Sequence, residues 1–379
     1  MKNCKELLSE NCAWAEETFR KIDNKMKEVT KRPRAPFEPR GWTSGFWGAM
    51  NVLLYERTKN ADYLKSAKEN EQKLDEALAD FKALYHDVGF QWHILSGALY
   101  RLTGDEKSKN RNLHAASSLF SRFVLGGNYI RAWNDPSATS WQKHPTTTWT
   151  IIDCMMNLPI LYFASDLIGD DRFKRIAMAH ADNTLASHIR PDGSVIHVAD
   201  HDRETGEVTE TFAGQGYADG SSWSRGQAWA VYGFVLSYIH TKEQRYLDAA
   251  KRVANYFIAC CCDDWIPRID FRAPSEPVYY DTTAGCCAAC GLIEIAKALP
   301  EHEGGVYMHA AIKILRAISE KFGDFKPETD GMILGGSARY PIPGVYTVEN
   351  SGVHMHIIYA DFFFTEAILK LLGSEFNPW

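Results

Sequence analysis

The sequence lacks any apolar run long enough to cross a membrane. Its longest runs, such as Val231 to Ile239, fall well short of the about 20 residues that a membrane-spanning helix needs. The first residues, Met1 to Leu7, also lack the apolar core of a signal peptide. We therefore expect a globular protein of the cytoplasm with no membrane partner; a periplasmic location is the alternative if a leader has been removed.

The chain also lacks an excess of positively charged residues. The chain has 42 Lys and Arg residues against 48 Asp and Glu residues, which gives a net charge of −6. Proteins that bind nucleic acid neutralise its phosphates with surface Lys and Arg, so we expect no nucleic-acid partner. Overall charge offers no attraction for an anionic ligand either, and such a ligand would have to be met by a local cationic cluster.

A regular disulfide framework is missing as well. Nine is an odd number of cysteines, and six of them crowd into two short stretches: Cys260, Cys261, Cys262 and Cys286, Cys287, Cys290. This crowding predicts reduced thiols rather than bridges. The Ala and Gly residues around the second stretch are typical of closely packed helices, so we expect no metal site there.

No low-complexity linker divides the chain, and we predict one domain over residues 1–379 with an N-terminal helical segment at about 1–30. The chain does repeat one pattern, in which an apolar helix end is followed by a short polar turn and an Ala-rich helix. Its copies are Tyr55 to Tyr63, Tyr100 to Glu106, Ile168 to Phe173, Ile239 to Tyr246 and a fainter one at Leu299 to Tyr307. Recurring helical hairpins form a solenoid or a closed ring. Irregular spacing and long intervening loops favour the ring, an all-α toroid of about six hairpins around a pocket.

Two aspartates stand inside strongly apolar stretches. Asp87 lies in the segment His86 to Phe90, and Asp153 in Ile151 to Pro159. An unpaired carboxylate in such surroundings costs several kcal/mol. Two acids buried in one pocket push their pKa values apart, so that one holds a proton which the other has lost, and such a pair is suited to acid and base work on a sugar. The alternative is that each aspartate caps a helix or anchors a buried hydrogen-bond network.

A third segment, Asp219 to Trp229, joins a cation to an aromatic ring. If a helix starts near Ser224, then Arg225 and Trp229 share one face, and the guanidinium and indole suit a uronate sugar. The alternative is an arginine stacked on a core tryptophan with an ion pair to Asp219. Many of the eleven tryptophans sit in Gly-, Ser- or Thr-rich turns, which favours sugar binding.

Five segments resemble the unsaturated glucuronyl hydrolases, glycoside hydrolase family 88. They occur in order along the chain, from about residue 40 to 370: Gly41 to Trp47, His86 to Phe90, Ile151 to Pro159, Gln215 to Trp229 and Ala360 to Ala367. The resemblance implies an (α/α)6 barrel and an unusual hydrolysis. Polysaccharide lyases leave a C4=C5 double bond on the non-reducing uronate, and enzymes of this family hydrate that vinyl ether instead of attacking the anomeric carbon.

The resemblance also implies roles for individual residues. Asp153 would be the general acid and base, which protonates C4 and activates the water that adds at C5. Asp87 would be the second carboxylate, which stabilises developing positive charge and orients the sugar. The implied pocket residues around the uronate are Trp42, His86, Trp133, His197, Gln215, Arg225 and Trp229. For His197 a satisfied strand or core histidine is the alternative. No cofactor is implied, and the expected partner is an unsaturated oligosaccharide.

The chain departs from the family pattern at residues 335–356. The Ser-x-x-Ser-x-Lys arrangement that some relatives have is absent, which leaves the sugar on the reducing side and its sulfation open. Arg339 either contacts a sulfate or carboxylate or is a solvated loop arginine. The oligomeric state, monomer or homodimer, is open too.

Three other functions compete with a glycosaminoglycan-type hydrolase. An unsaturated rhamnogalacturonyl hydrolase would share the barrel and the mechanism but take pectin fragments. A sugar epimerase or isomerase on the same ring would rely on paired histidines. A non-catalytic sugar-binding protein would lose only affinity when Asp153 is replaced.

Overall fold

Helices dominate the computed structural model, which describes residues 2–32, 38–134, 146–261 and 263–379. A π-helical segment, Gly89–Gly97, runs directly into α5, and α4 is a single turn. Within the described ranges the α-helices are α1 (Cys4–Val29), α2 (Phe46–Thr58), α3 (Ala61–Lys73), α4 (Asp75–Leu78), α5 (Ala98–Thr103), α6 (Glu106–Phe120), α7 (Pro159–Ile168), α8 (Arg172–Ser187), α9 (Ser224–Thr241), α10 (Gln244–Cys260), α11 (Thr282–Ala298), α12 (Glu301–Phe322) and α13 (Ile358–Leu371). No helix among the described residues is long and apolar enough to span a bilayer.

The helices form two concentric rings. The inner ring runs through α2, the π segment with α5, α7, α9, α11 and α13, and contacts between α13 and α2 close it. Each of the first five inner elements packs against the outer helix that follows it, and α13 packs against α1, which completes the outer ring. The fold is therefore an (α/α)6 barrel, and the predicted all-α class is confirmed.

The two rings differ in composition. Inner helix α11 is buried along nearly its whole length, and apart from Thr282, Thr283 and Glu294 its buried residues are apolar or small. Outer helix α10 buries one stripe, which includes Tyr246, Ala250, Val253 and Phe257. A helix that is covered all round needs no polar face, whereas a helix that faces solvent on one side does. Cys290 in α11 packs as a small helix residue, and its thiol donates a hydrogen bond to the carbonyl of Phe363.

The repeated turns join inner helices to outer ones. All five copies of the pattern lie where an inner helix ends and the next outer helix begins. In four of them the residue after the inner helix has a left-handed backbone: Lys59 (φ 56°), Gly104 (φ 70°), Gly169 (φ 68°) and Lys242 (φ 61°). This conformation ends a helix in one residue and reverses the chain tightly.

The return connections from outer to inner helices are long, and they meet at the opposite end of the barrel. They carry the strands β1 (Phe123–Val124), β2 (Tyr129–Ile130), β3 (Trp149–Ile151), β4 (Val198–His201) and β5 (Val208–Phe212). β1 pairs with β2, and β3, β4 and β5 form an antiparallel sheet in that order. The all-α prediction did not include these short strands, which fix the long loops over the barrel mouth.

Candidate active site

A pocket of about 120 Å³ opens among these long connections. It contains eight of the nine residues that the sequence analysis selected, together with Ile151 and Trp223, which that selection missed. The lining residues are Trp42, His86, Asp87, Trp133, Ile151, Asp153, His197, Gln215, Trp223 and Arg225. Larger cavities lie elsewhere, but the walls of this one contain two acids, two histidines and three tryptophans.

The ninth selected residue, Trp229, does not line this pocket. Its side chain is fully buried and packs against Phe90, Tyr359 and Phe363, with ring centroids 5.2, 6.1 and 5.6 Å away. It lies one helical turn after Arg225, on an inner helix that is covered on all sides. Trp229 therefore belongs to the aromatic packing of the barrel interior.

A ladder of backbone hydrogen bonds sets the positions of the pocket walls. The amide of His86 donates to the carbonyl of Ala132 (3.2 Å), and the amide of Ala132 donates to the carbonyl of Trp149 in β3 (2.8 Å). Beyond β3, the amide of Ile152 donates to the carbonyl of His197 (3.1 Å), directly before β4. The segments that carry both histidines and both acids are thus parts of one hydrogen-bonded layer.

Asn157 joins the two acidic segments directly. Its Oδ1 accepts a hydrogen bond from the amide of Phe90 (2.9 Å), and its Nδ2 donates to the carbonyl of Asp153 (3.2 Å). Gly89 allows this close approach, because a Cβ there would lie 2.6 Å from Oδ1 of Asn157. A buried side-chain amide therefore fixes the spacing between the Asp87 turn and the Asp153 turn.

Replacing Asn157 by alanine should destabilise the fold by about 1–3 kcal/mol, because the buried Phe90 amide would lose its acceptor. Urea denaturation of the Asn157→Ala variant measures this loss. Asn183→Ala is the matched control, since Asn183 is half-buried on the outer helix α8, donates a hydrogen bond to the carbonyl of Gly127 and accepts one from Ser187. A loss at Asn157 no larger than that at Asn183 would contradict the bridging role.

Neither acid caps a helix, so the capping half of the alternative is wrong. The π segment that follows Asp87 and the 3-10 helix Ile152–Met156 that contains Asp153 both lack a side-chain cap. Both acid side chains are 15% exposed, and each faces a histidine. Oδ2 of Asp87 lies 3.6 Å from Nε2 of His86, and Oδ1 of Asp153 lies 3.5 Å from Nε2 of His197.

The two acids differ in protonation. Burial, reinforced by the charge of Asp153, raises the pKa of Asp87 to about 8. Burial acts in the same direction on Asp153, but the facing His197, followed by His86 and Arg225, outweighs it and holds the pKa of Asp153 below its ordinary value. At neutral pH the pair therefore holds one proton, on Asp87, and one negative charge, on Asp153. Burial also lowers the pKa of His86 to about 3, so that ring is neutral.

His197 is held in place by its neighbours and also lines the pocket. Its Nδ1 lies 3.1 Å from the amide of Gln215 and 3.1 Å from the carbonyl of Ala213, and its ring packs on Trp223 with centroids 4.3 Å apart. When Nδ1 accepts from the Gln215 amide, the ring proton is on Nε2 and points toward Asp153. His197 directly precedes β4 and is satisfied by these backbone groups, as in the alternative interpretation, and it also lines the pocket.

Arg225 is bound largely by the protein itself. Its side chain is 1% exposed; Nη1 donates to Asp281 (3.1 Å) and Nη2 to the carbonyl of Ala338 (2.7 Å). The ion-pair partner is Asp281, the N-cap of α11, and not the expected Asp219, which accepts from the amide of Ala213. The Nε of Arg225 has no hydrogen-bond partner among the described residues.

The departure from the family pattern at residues 335–356 forms part of the pocket surroundings. The side chain of Gln215 donates to the carbonyl of Ala338 (2.6 Å), and the amide of Tyr340 donates to the carbonyl of Gln215 (2.9 Å). Arg339 stacks over the ring of Tyr346 at 4.6 Å and does not line the pocket. The described residues contain no group of three or more His, Cys, Asp or Glu placed to hold a metal ion.

The fold is an (α/α)6 barrel whose mouth opens into a tryptophan-walled pocket with two acids, an arrangement suited to a glycoside hydrolase. The model of Glycosyl Hydrolase Family 88 matches residues 14–356. This chain belongs to that family.

Named relatives agree over nearly the whole length. An unsaturated glucuronyl hydrolase from Bacillus sp. (strain GL1) is 33% identical over 346 residues, which cover 89% of this chain and 88% of the relative. An unsaturated chondroitin disaccharide hydrolase from Streptococcus pneumoniae is 32% identical over 335 residues, which cover 87% and 81%. The crystal structure of the Bacillus sp. GL1 unsaturated glucuronyl hydrolase, responsible for the degradation of glycosaminoglycan, superposes with a TM-score of 0.84 at 30% identity, covering 93% of this chain and 96% of that one.

Proposed function

We propose that this protein removes the 4,5-unsaturated uronate from the non-reducing end of lyase-generated, glycosaminoglycan-type oligosaccharides by hydrating the C4=C5 double bond. The observation that carries the proposal is the pair Asp87 and Asp153, which line one pocket with opposite protonation. Hydration of a vinyl ether needs a proton for one carbon and an activated water for the other, and such a pair supplies both. The family and the names of the relatives support the same reaction.

In this proposal Asp153 is the residue at the reacting carbons. It donates a proton to C4, and positive charge develops at C5 and the ring oxygen. The resulting carboxylate then takes a proton from a water molecule whose oxygen bonds to C5. One water is consumed, and Asp153 ends protonated, as it began. The hemiketal then opens spontaneously and releases the partner sugar.

Substrate binding has to move the proton of the pair for this sequence to start. In the free protein the proton is on Asp87, while Asp153 is ionised. The uronate carboxylate, bound by Arg225, offsets a positive charge that lowers the pKa of Asp153 but does not act on Asp87, so the pKa of Asp153 rises more than that of Asp87. We infer that the proton then passes to Asp153, which leaves Asp87 as the anion that stabilises the positive charge at C5.

The remaining lining residues bind the sugar in this proposal. Trp42, Trp133 and Trp223 offer flat apolar surfaces for the C–H faces of the ring. His86, His197 and Gln215 offer hydrogen bonds, and the unpaired Nε–H of Arg225 is the donor suited to the uronate carboxylate. Trp229 supports the lining residues from the barrel interior, where its ring packs against Phe90 and Tyr359.

The experiment that tests the function follows the ultraviolet absorbance of the conjugated C4=C5 enoate. Purified protein is mixed separately with unsaturated disaccharides of chondroitin, hyaluronan, heparin and pectin. Loss of absorbance with a glycosaminoglycan fragment is the expected result, and the rates rank the substrates. Loss with the pectin fragment alone would move the assignment to an unsaturated rhamnogalacturonyl hydrolase, and no loss with any of them would overturn the proposal.

The pH dependence of kcat/KM should show an alkaline limb near pH 8. Above that pH the free protein loses the single proton of the pair from Asp87, and no acid is left to protonate C4. Steady-state rates at low substrate concentration across this range measure the limb. A rate that stays constant as the pH rises through 8 and beyond would contradict a proton held on Asp87.

A further inference from the structure

A buried arginine lies behind the pocket wall and has no place in the roles assigned so far. Arg122 follows α6 and directly precedes β1, and its side chain is 5% exposed. No motif in the sequence marks it. Its position at the end of an outer helix brings the guanidinium under the two loops that form one side of the pocket.

The guanidinium ties these two loops together. Nε donates to the carbonyl of Arg131 (2.9 Å) and Nη2 to the carbonyl of Ala132 (2.8 Å). Nη1 donates to the carbonyl of Leu84 (3.1 Å) and to Oδ1 of Asn134 (2.5 Å). Leu84 precedes the His86–Asp87 turn, and Ala132 and Asn134 flank Trp133. One side chain therefore holds both segments that carry the Asp87 side of the pocket.

The charge of Arg122 is not neutralised by these contacts. All four acceptors are neutral oxygens, and within the described parts of the chain no carboxylate forms an ion pair with it. Burial lowers the pKa of Arg122 to about 10, which still leaves it a cation at neutral pH. A buried cation without a paired anion places a positive potential on the nearest ionisable groups of the pocket.

Asp87 is the acid on which this potential acts. Two charged groups change the pKa of Asp87 in opposite directions. Asp153 raises the pKa of Asp87 and Arg122 lowers it. The charged and titratable groups near Asp87 and Arg122 are His86, Asp153, Cys154, Tyr85 and Arg131.

We propose that Arg122 is a positioning residue for the hydration reaction: its four hydrogen bonds hold the His86–Asp87 turn and the Trp133 loop opposite Asp153, and it places an unpaired positive charge behind the proton of Asp87. The role of this proton in turnover rests on the proposed function. The effect of Arg122 on the Asp87 proton does not, and it is measured on the protein without substrate.

Two substitutions separate geometry from charge. Arg122→Met removes the charge and the four hydrogen bonds, whereas Arg122→Lys keeps the charge but cannot span all four acceptors. Lys25→Met is the matched control. Lys25 is 1% exposed and is also a buried cation that donates only to neutral oxygens, those of Asp324, Thr329 and Gly331, away from this pocket.

The substrate-free measurement is the infrared absorption of the protonated Asp87 carboxyl group as a function of pH. Each spectrum is compared with that of the same chain carrying Asp87→Asn, so that the difference isolates one group. Arg122→Met should move the Asp87 titration upward by about 1–2 pH units, because an opposing positive charge has been removed. Arg122→Lys and Lys25→Met should leave it near the wild-type position.

Turnover is measured on the same variants. Both Arg122 variants should lower kcat about 10- to 100-fold with a smaller change in KM, because a displaced wall misplaces the reacting groups. The alkaline limb should move upward in Arg122→Met only, and Lys25→Met should keep the wild-type kcat. The proposal would be overturned if the Asp87 titration of Arg122→Met stays at the wild-type position. It would also be overturned if Arg122→Lys keeps the wild-type kcat. A wild-type chain that never consumes the enoate would instead overturn the proposed function, and the infrared titration would still decide the effect of Arg122 on Asp87.

Discussion

Asp153→Asn should turn over the unsaturated disaccharide about 10³-fold more slowly than the unchanged protein, or not at all, while still binding it. An amide has nearly the size and shape of the carboxyl group but can neither give a proton to C4 nor take one from water. The side chain is 15% exposed, and its Oδ1 faces Nε2 of His197 at 3.5 Å, a contact that the amide oxygen of asparagine can keep. The substitution therefore removes little that holds the fold together.

Turnover and binding have to be measured separately for this variant. The absorbance of the enoate reports turnover, and quenching of tryptophan fluorescence reports binding, because Trp42, Trp133 and Trp223 line the pocket. A kcat that falls while the dissociation constant changes little is the signature of an interaction used in the transition state. Loss of affinity with an unchanged kcat would instead favour a sugar-binding role for Asp153.

Asp361→Asn is the control for the general effect of removing a buried carboxylate. Asp361 is buried in α13 and accepts hydrogen bonds from the amides of Met332 and Ile333. It does not line the pocket. The control variant should lose stability but keep kcat, and a loss of kcat equal to that of Asp153→Asn would contradict the assignment of Asp153 as the acid and base.

Much of the barrel could be predicted because the hairpin turns are local features. A polar turn between an apolar helix end and an Ala-rich helix can be recognised within about ten residues of sequence. All five predicted turns join an inner to an outer helix. The motifs of the family likewise led to Asp87, Asp153 and most of the pocket. The short strands were not predicted, because two to five residues in a long loop carry too little pattern.

Other features depend on contacts between distant segments. The spacing of Arg225 and Trp229 correctly places them one turn apart, but on a helix buried on every face this spacing cannot distinguish the pocket from the core. The partner of Arg225, Asp281, is 56 residues away along the chain. Which acid holds the proton depends on the groups that surround each one, and these come from distant parts of the chain. Arg122, behind the pocket wall, directly precedes the β1–β2 pair.

Asp87→Asn should lower activity and raise stability at the same time. In the proposed reaction Asp87 becomes the anion that stabilises charge at C5, and a neutral amide cannot do this, so kcat should fall about 10²-fold. In the folded protein without substrate, burial keeps Asp87 protonated up to a pKa of about 8, whereas the ordinary value is 3.8. Asparagine avoids the cost of holding that proton and keeps a hydrogen-bond donor and acceptor of the same size.

The sign of the stability change follows from proton binding. Between about pH 4 and 8 the folded protein binds a proton at Asp87 that the unfolded chain has lost, so the stability of the unchanged protein falls as the pH rises through this window. The difference between Asp87→Asn and the unchanged protein should be small near pH 4 and grow to the order of several kcal/mol at pH 8. Urea denaturation at these two pH values measures it. A variant that is less stable at pH 8, or equally shifted at both values, would mean that Asp87 does not hold a proton over this pH range, and the proposed proton of the pair would be absent.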